Sequence, residues 1–505
     1  MITVIGGGFA GVEAAWSAAR LGVPVRLVEM RPRTMTPAHK TGLLAELVCS
    51  NSFKSALPTS PAGQLKAEMT ALGSLVLEVA QRHSVPGGEA LCVDRDRFAN
   101  EITDRVESHR GIELLREEAD PDSVERMLEE GPVVLATGPL TSPALSEWLA
   151  RKTGRRHLYF YDAVSPTVEA ASLDTDVVFA ASRYGKGGGD DYLNCPFDRE
   201  SYLAFVRELV RAGRAPIHAF EAGGLRTIPP PSTLSASPLE GESGEGREPG
   251  GGSASPLEGE AGDPGPPGEP GGGSLEDAFL EKVKYFSGCT PIEAIAEKGE
   301  MSLAFGNFKP VGLADPRTGR RPFAVLQLRP ENRERTLYSL VGCQTRLKWG
   351  EQKRVFRMVP GLGRAEFARY GVIHRNTYLD APRVLASDLR LREQSRLYVA
   401  GQLTGVEGYV ESAAIGILVG LNAARSLLGL PAAEPPRETA YGSLLAHLRD
   451  DTEREFAPMN INWGLFPKPA AEVRDKGERR AAQLDAARAA LSLWLSDLAI
   501  PASAR

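Results

Sequence analysis

The residues best suited to chemistry stand at the start of this 505-residue chain, where Gly6-Gly7-Gly8-Phe9-Ala10-Gly11 meets the spacing G-x-G-x-x-G through Gly6, Gly8 and Gly11. Alone that spacing is weak. Its setting strengthens it, because ITVIG (2–6) reads as an apolar strand, GVEAAWSAARLG (11–22) as an Ala-rich helix and VPVRLVEM (23–30) as a second strand. Residues 1–30 thus form one βαβ unit. In such a unit the first glycine permits a tight turn, the second lets backbone approach a pyrophosphate, and the third lets helix and strand pack closely. The helix N-terminus offers unpaired N–H groups and partial positive charge to the phosphates. Glu29 follows Gly11 by 18 residues, where an acid accepts ribose hydroxyls. An acid there selects an adenosine with a free 2′-hydroxyl, as in FAD or NAD.

Two later segments favour FAD. Ala136-Thr137-Gly138 closes the strand VVLATG (133–138). Ala400-Gly401-Gln402, with Gly405, Gly408 and Glu411, follows the strand RLYVAG (396–401) and opens an apolar helix over 410–428. A long dinucleotide along the C-terminal edge of a parallel sheet needs contacts from chain-distant loops, and these segments supply them. No second complete glycine fingerprint serves a separate nicotinamide domain, so NADH or NADPH would bind transiently over the flavin. The five cysteines (Cys49, Cys92, Cys195, Cys289, Cys343) are odd in number and lack a C-x-x-C. They suit neither a disulfide framework nor a metal site, and fit a reducing compartment. The start MITVIGGG carries no basic leader region, and no uninterrupted apolar run approaches the roughly 18 residues of a membrane helix. The expectation is a cytoplasmic protein with no membrane partner and no metal.

Composition bounds the partners. Lys and Arg total 59 against 65 Asp and Glu, for a net charge of −6, which excludes a globally basic nucleic-acid coat; a 42% hydrophobic content excludes wholesale disorder. Residues 221–274 hold 15 Gly and 10 Pro, repeat SASPLEGE at 235–242 and 253–260, and carry nine acids against two bases. They read as a flexible, solvated insertion, and they leave the rest of the chain near neutrality with room for local basic faces.

A set of ordered blocks resembles the folate- and FAD-dependent tRNA (uracil-5-)-methyltransferase family. They include VEMRP (28–32), TPAH (36–39), ELVCSNS (46–52), ATGPLTS (136–142), LYFYDAVSP (158–166), YLNCPF (192–197) and GCTPIE (288–293). They continue through KPVGLADPRTGRRP (309–322), CQTRLKWGEQK (343–353), YGVIHRNTY (370–378), AGQLTGVEGYVESAA (400–414) and APMNINWGLFP (457–467). The resemblance implies 5-methyluridine formation at position 54 in the T-loop of tRNA, with 5,10-methylenetetrahydrofolate as carbon donor and FADH2, regenerated by NADH or NADPH, as reductant. The tRNA T-arm and the folate are the implied partners. Uracil C5 is a poor nucleophile until something adds to C6, and a thiolate suits that addition. By resemblance Cys49 and Cys289 match catalytic positions, with Cys289 favoured as the nucleophile and Cys49 as partner thiol; the sequence leaves that division open.

The expected architecture is α/β. A Rossmann-like FAD-binding domain of the two-dinucleotide-binding type, from 1–155 and 376–505, is interrupted by an α+β insertion domain over 156–375. Cofactor contacts are expected from Gly6, Gly7, Gly8, Phe9, Ala10, Gly11, Glu29, Thr137, Gly138, Gly401, Gln402 and Gly408. RNA contacts are expected from Arg346, Lys348, Trp349, Lys353 and Arg354, where an aromatic among bases suits stacking on a nucleotide. Arg151-Lys152 with Arg155-Arg156, and Arg317 with Arg320-Arg321, are further basic clusters. ERRAAQLDAARAALSLWLSDLA (478–499) reads as an amphipathic helix on the core. Two rival functions remain: a plain FAD/NAD(P)H oxidoreductase on a small molecule, and a non-catalytic flavin-containing tRNA-binding protein.

Overall fold

The computed structural model describes residues 1–155, 158–215, 290–452, 456–469 and 473–498. The Gly/Pro-rich segment 221–274 and Cys289 lie outside the described residues, as does Arg156.

The chain begins as its patterning requires. The strand β1 (Ile2–Ile5) is a buried, β-branched run that occupies the interior of a sheet. It leads through the glycine turn into α1 (Phe9–Arg20), whose small residues Ala14, Ala15 and Ala18 are fully buried, and then into the parallel strand β2 (Val25–Val28). The helices α2 (Pro61–Ala71), α3 (Leu75–Arg82) and α4 (Arg95–Glu107) follow, each started by a side chain that accepts a first-turn amide: Ser60, Ser74 and Asp94. Next come β3 (Ile112–Leu115) and β4 (Val133–Leu135), parallel to β2 and β1.

The chain then builds a second, wholly antiparallel sheet. Its strands are β5 (Thr167–Glu169), β6 (Phe179–Ala180), β7 (Leu193–Phe197), β8 (Ala324–Pro330), β9 (Leu337–Leu340) and β10 (Phe367–Arg369), in the order β6-β7-β8-β9-β5-β10. The helix α5 (Arg199–Arg211) buries Tyr202, Phe205 and Leu209 in the core that also holds Phe197, Phe308 and Phe356, the last from α6 (Trp349–Phe356). After this excursion β11 (Arg390–Leu391) and β12 (Gln394–Val399) return to the first sheet, whose order is β11-β12-β4-β1-β2-β3. The fold is α/β, a Rossmann-like sheet that is parallel except for its antiparallel edge strand β11, with an antiparallel sheet inserted in sequence.

The helix α7 (Tyr409–Leu427) lies tightly against α1. A Cβ at Gly416 would stand 2.2 Å from the Ala10 carbonyl oxygen, and one at Gly420 would stand 2.3 Å from that of Ala14. Two glycines one turn apart therefore let the helix backbones touch. By length and composition α7 would also pass as a membrane span, but 83% of its apolar window is buried inside the protein. Two more helices finish the chain, α8 (Ala440–Arg449) and α9 (Lys476–Asp497). The latter starts two residues before the stretch read as amphipathic and buries Gln483, Leu484, Ala487 and Trp494.

Candidate active site

A cleft holding about 1090 Å³ of empty space opens at the C-terminal edge of the parallel sheet. Three stretches far apart in sequence meet there: Gly6 to Ala10, Ala136 to Ser142, and Ala400 to Gln402. Of the expected cofactor residues, Gly6, Gly7, Gly8, Phe9, Ala10, Glu29, Thr137, Gly138, Gly401 and Gln402 line it.

Each glycine of the turn has its own reason. Gly6 adopts φ +105°, and a Cβ there would stand 2.5 Å from the Ala136 carbonyl oxygen. A Cβ at Gly7 would stand 2.8 Å from Glu29 Oε2. Gly11 does not line the cleft; it packs on the turn, where a Cβ would come 1.7 Å from the Gly6 oxygen. At Gly8 nothing lies within 4 Å of a Cβ, so backbone faces open space. Gly8 is also the N-cap of α1 and no side chain caps that helix. Its first-turn N–H groups thus face the cleft without a side-chain acceptor, the condition for anion binding.

Glu29 is buried at the end of β2. Its Oε2 accepts the Gly7 amide at 2.6 Å, and its Oε1 accepts the amide and Nε of Arg31 at 2.9 and 2.7 Å. Burial raises the carboxyl pKa, but the hydrogen bonds and charge of Arg31, with the Gly7 amide, outweigh it and hold the group below its usual range. Arg31 reaches on to Glu46 Oε2 at 3.2 Å, and Glu46 accepts the amides of Lys40 and Thr41. This network stiffens the floor on which a ribose would rest. Glu29 keeps an acceptor site on Oε2 for it, since a carboxylate has about four and three are taken. The uncapped helix, the open Cβ position at Gly8 and the ionised Glu29 together fit a dinucleotide.

The described catalytic cysteine candidate, Cys49, does not itself line the cleft, but its neighbour Val48 and its partner Tyr409 do. The Cys49 amide donates to Tyr409 Oη at 2.8 Å, and Cys49 Sγ lies 2.9 Å from the same oxygen. Tyr409, the first residue of α7, lines the cleft and stacks on Phe9 with centroids 4.6 Å apart. Burial and the nearby Cys49 push its phenol well above the usual range. With one lone pair taken by the Cys49 amide, the Tyr409 oxygen and the Cys49 sulfur share one further hydrogen bond, in which either atom can be the donor. Arg95, at the start of α4, donates to the Cys49 carbonyl at 3.0 Å and to the Leu47 carbonyl, and pairs with Glu331 just beyond β8. A buried cation thus holds the cysteine loop and ties the two sheets' segments together. Gly408 does not line the cleft; it caps α7 at φ +112°, beside Lys54, which pairs with Glu411 at 2.6 Å. Neither Tyr409 nor Arg95 stands out in the sequence. The start of α7 could be read from Gly408, but nothing local couples residue 409 to residue 49.

The expected RNA residues separate. Arg346 is only 6% exposed, so it is not a surface contact; its side chain is packed in and its amide donates to Glu293. Arg354 pairs with Glu351 at 2.7 Å and with Glu208, and Lys353 lies 3.7 Å from Glu366. Lys348 is exposed. Trp349 is 62% exposed and heads a ladder of nearly parallel rings, 5.6 Å from Tyr370, which lies 5.4 Å from Phe367. One member of each remaining basic pair or triplet is paired: Lys152 with Glu125, Arg155 with Asp380 and Arg317 with Asp315.

Sheet order and cleft define a flavoprotein-like dinucleotide-binding protein. The fold is that of the Aquifex aeolicus GidA form II crystal structure, with a TM-score of 0.60 at 15% identity over 99% of this chain and 74% of that one. The family model "Glucose inhibited division protein A" matches residues 1–225 and 274–431, breaking within the Gly/Pro-rich segment. At higher resemblance, the chain is 46% identical over 497 residues to "Methylenetetrahydrofolate--tRNA-(uracil-5-)-methyltransferase TrmFO" of Desulforudis audaxviator, covering 98% of both chains. It is 47% identical over 494 residues to the enzyme of the same name from Symbiobacterium thermophilum, covering 98% of this chain and 96% of that one. The chain belongs to this TrmFO family of tRNA methyltransferases.

Proposed function

We propose that the protein forms 5-methyluridine at position 54 in the T-loop of tRNA, taking the carbon from 5,10-methylenetetrahydrofolate. FAD would lie in the glycine cleft, its pyrophosphate on the amides at the start of α1, its ribose on Glu29, and its distal part near Thr137, Gly138, Gly401 and Gln402. When bound and reduced by NADH or NADPH, the flavin supplies the hydride that converts a one-carbon unit at the formaldehyde level into a methyl group. The observation that carries this reading is the near full-length identity of 46–47%, with Cys49 beside the cleft.

The chain's own residues have definite tasks. A thiolate adds to uracil C6, making C5 nucleophilic, and later leaves as the C5 proton is lost. Cys289 takes that role in this reading, with Cys49 as the partner thiol that holds or moves a proton. Tyr409 donates its O–H to the Cys49 sulfur and so favours the thiolate, while Arg95 fixes the loop and adds positive charge. Because burial keeps the Tyr409 phenol protonated across the neutral range, it acts as a donor there. Trp349 offers the open face of its ladder to an unstacked base.

The test mixes purified protein, unmodified tRNA transcript, labelled methylenetetrahydrofolate and NADH, followed by nucleoside analysis. Labelled 5-methyluridine is the expected product. NADH oxidation without label transfer would make the protein a plain oxidoreductase, and RNA binding with neither activity would make it a flavin-containing tRNA binder.

A further inference from the structure

A second concave surface has no part in the chemistry above. It lies between the segment before α9 and that helix's first turns, holds about 1330 Å³ of empty space, and is lined by Trp463, Lys468, Arg474, Lys476, Arg479 and Arg480, among others. Lys468, Arg474, Lys476 and Arg479 are exposed and Arg480 is half-buried. Among the described residues, none of these five cations lies within 4.0 Å of a carboxylate. The two acids of this stretch among the described residues are Asp475 and Glu478, and Asp475 is turned onto the helix, where it caps α9 by accepting the Glu478 amide at 2.8 Å. The positive end of α9 adds to the same field.

The described part of the facing segment, 463–467, is pinned to α9. The Arg480 guanidinium stands 5.4 Å from the Trp463 ring centroid, and Trp463 lies 5.5 Å from the buried Phe466. Gln483 on α9 donates to the carbonyls of Phe466 and Pro467 at 3.3 and 3.0 Å, fastening the helix to the facing segment. That segment also runs straight from the candidate active site. Met459 donates to the Gly405 carbonyl, Glu407 donates to that of Met459, and Ile461 donates to Glu411 Oε1 at 3.0 Å. Glu411 belongs to the first turn of α7, as does Tyr409, the partner of Cys49. The basic cleft therefore begins two residues after a stretch stitched to the catalytic turn.

From this we infer that the cleft of Trp463, Lys468, Arg474, Lys476, Arg479 and Arg480 binds the phosphodiester backbone of the substrate RNA while its target base is at Cys49. The inference rests on the proposed tRNA substrate. Three guanidiniums match phosphate oxygens by their forked geometry, and unpaired cations beside the site supply the attraction that a net charge of −6 does not. A folate's short carboxylate tail is the competing occupant. The spread of its cations over two segments, Lys468 on one and Arg474 to Arg480 on the other, favours a polyanion.

The experiment uses the full-length flavoprotein with Lys468→Ala, Arg474→Ala and Arg479→Ala combined, all exposed side chains. Affinity for unmodified tRNA transcript is measured over a salt series, alongside flavin absorbance and NADH oxidation without RNA. The expected result is a tenfold or greater loss of tRNA affinity at low salt. The slope of log K against log salt should also fall by about two, since each phosphate left without its cation removes roughly 0.7. Flavin content and RNA-free NADH oxidation should stay at the parent level. Arg474→Lys with Arg479→Lys, which keeps the charge, should restore most of the binding. Unchanged tRNA affinity and slope would overturn the inference, as would unchanged tRNA binding with a raised KM for polyglutamylated folate. A parent protein that binds no tRNA would overturn the substrate reading and this assignment together.

Discussion

The glycine cleft and the basic cluster at 346–354 are both sequence-local motifs, yet only the first survives folding intact. In the cleft, a dinucleotide would be held by backbone: a turn at φ +105°, an open Cβ position at Gly8 and uncapped amides. Such features depend on neighbours in sequence, so spacing announces them. At 346–354 function would be carried by free charge, and free charge depends on where the carboxylates end up. Glu208 from α5 comes from 146 residues away to meet Arg354, and Glu366 before β10 folds back to Lys353. The cations at 468–480 give no clear signal in sequence because acids are interleaved with them, yet among the described residues they meet no carboxylate. Proximity in sequence measures backbone geometry well and electrostatic availability poorly.

The largest effect that would sharpen this contrast is expected from Gly8→Val. A Cβ there meets no protein atom within 4 Å, so the apo fold should persist, but the valine branches would fill the space over the α1 amides. Flavin content after reconstitution should fall below a tenth of the parent value with unchanged far-UV circular dichroism. Retained flavin would show that backbone approach at Gly8 is not what the cleft uses. Next comes Arg95→Met. It strands Glu331, whose Oε1 already lacks a partner, and removes the donor to the Cys49 carbonyl. Breaking a buried pair from one side costs about 3–5 kcal/mol, so the denaturation midpoint should drop clearly; an unchanged midpoint would mean the pair does not tie the segments. Tyr409→Phe keeps the stack on Phe9 and loses only the hydroxyl. Methyl transfer should fall about tenfold to a hundredfold, with its pH profile shifted alkaline as the Cys49 thiolate loses a donor, while flavin content holds. An unshifted profile would reduce Tyr409 to a packing residue.

Legibility follows the same physics throughout the chain. The βαβ unit, the strands read at 133–138 and 396–401 and the helix read at 410–428 are readable because each is set by local periodicity and glycines. The three cleft segments can be named separately, and the sheet order then brings them together. Tyr409 and Arg95 are not readable, because their meaning lies in contacts with Cys49 across 360 and 46 residues. Gly416 and Gly420 lie in plain sight as a pair one turn apart, yet only the approach of α1 shows why side chains are excluded there. Glu13 and Glu68 are also hidden. Each caps another helix from within the core, Glu13 at α3 and Glu68 at α8, and burial pushes both carboxyls up to about 7. Their folded pKa values exceed the unfolded ones, so the folded state binds more protons between about pH 4.5 and 7, and stability falls as pH rises through that window. Glu68→Gln should flatten that slope in chemical denaturation series; an unaltered slope would mean the carboxyl is already ionised at low pH.

The smallest effects test the comparison most directly, because they set Trp349 against its charged neighbours on one surface. Stacking on an aromatic is worth about 1–3 kcal/mol per base, so Trp349→Ala should weaken tRNA binding by roughly fivefold to a hundredfold without changing its salt dependence. Lys353→Ala with Arg354→Ala should change affinity less than twofold. Their positive field is already cancelled by Glu366, Glu351 and Glu208, and exposed pairs of this kind are worth only about 0–1 kcal/mol to the fold. A marked loss of affinity and a shallower salt slope in that double variant would mean RNA displaces the carboxylates. In that case pairing seen in the free protein would be no guide to which cations are available, and the contrast between the two basic regions would collapse.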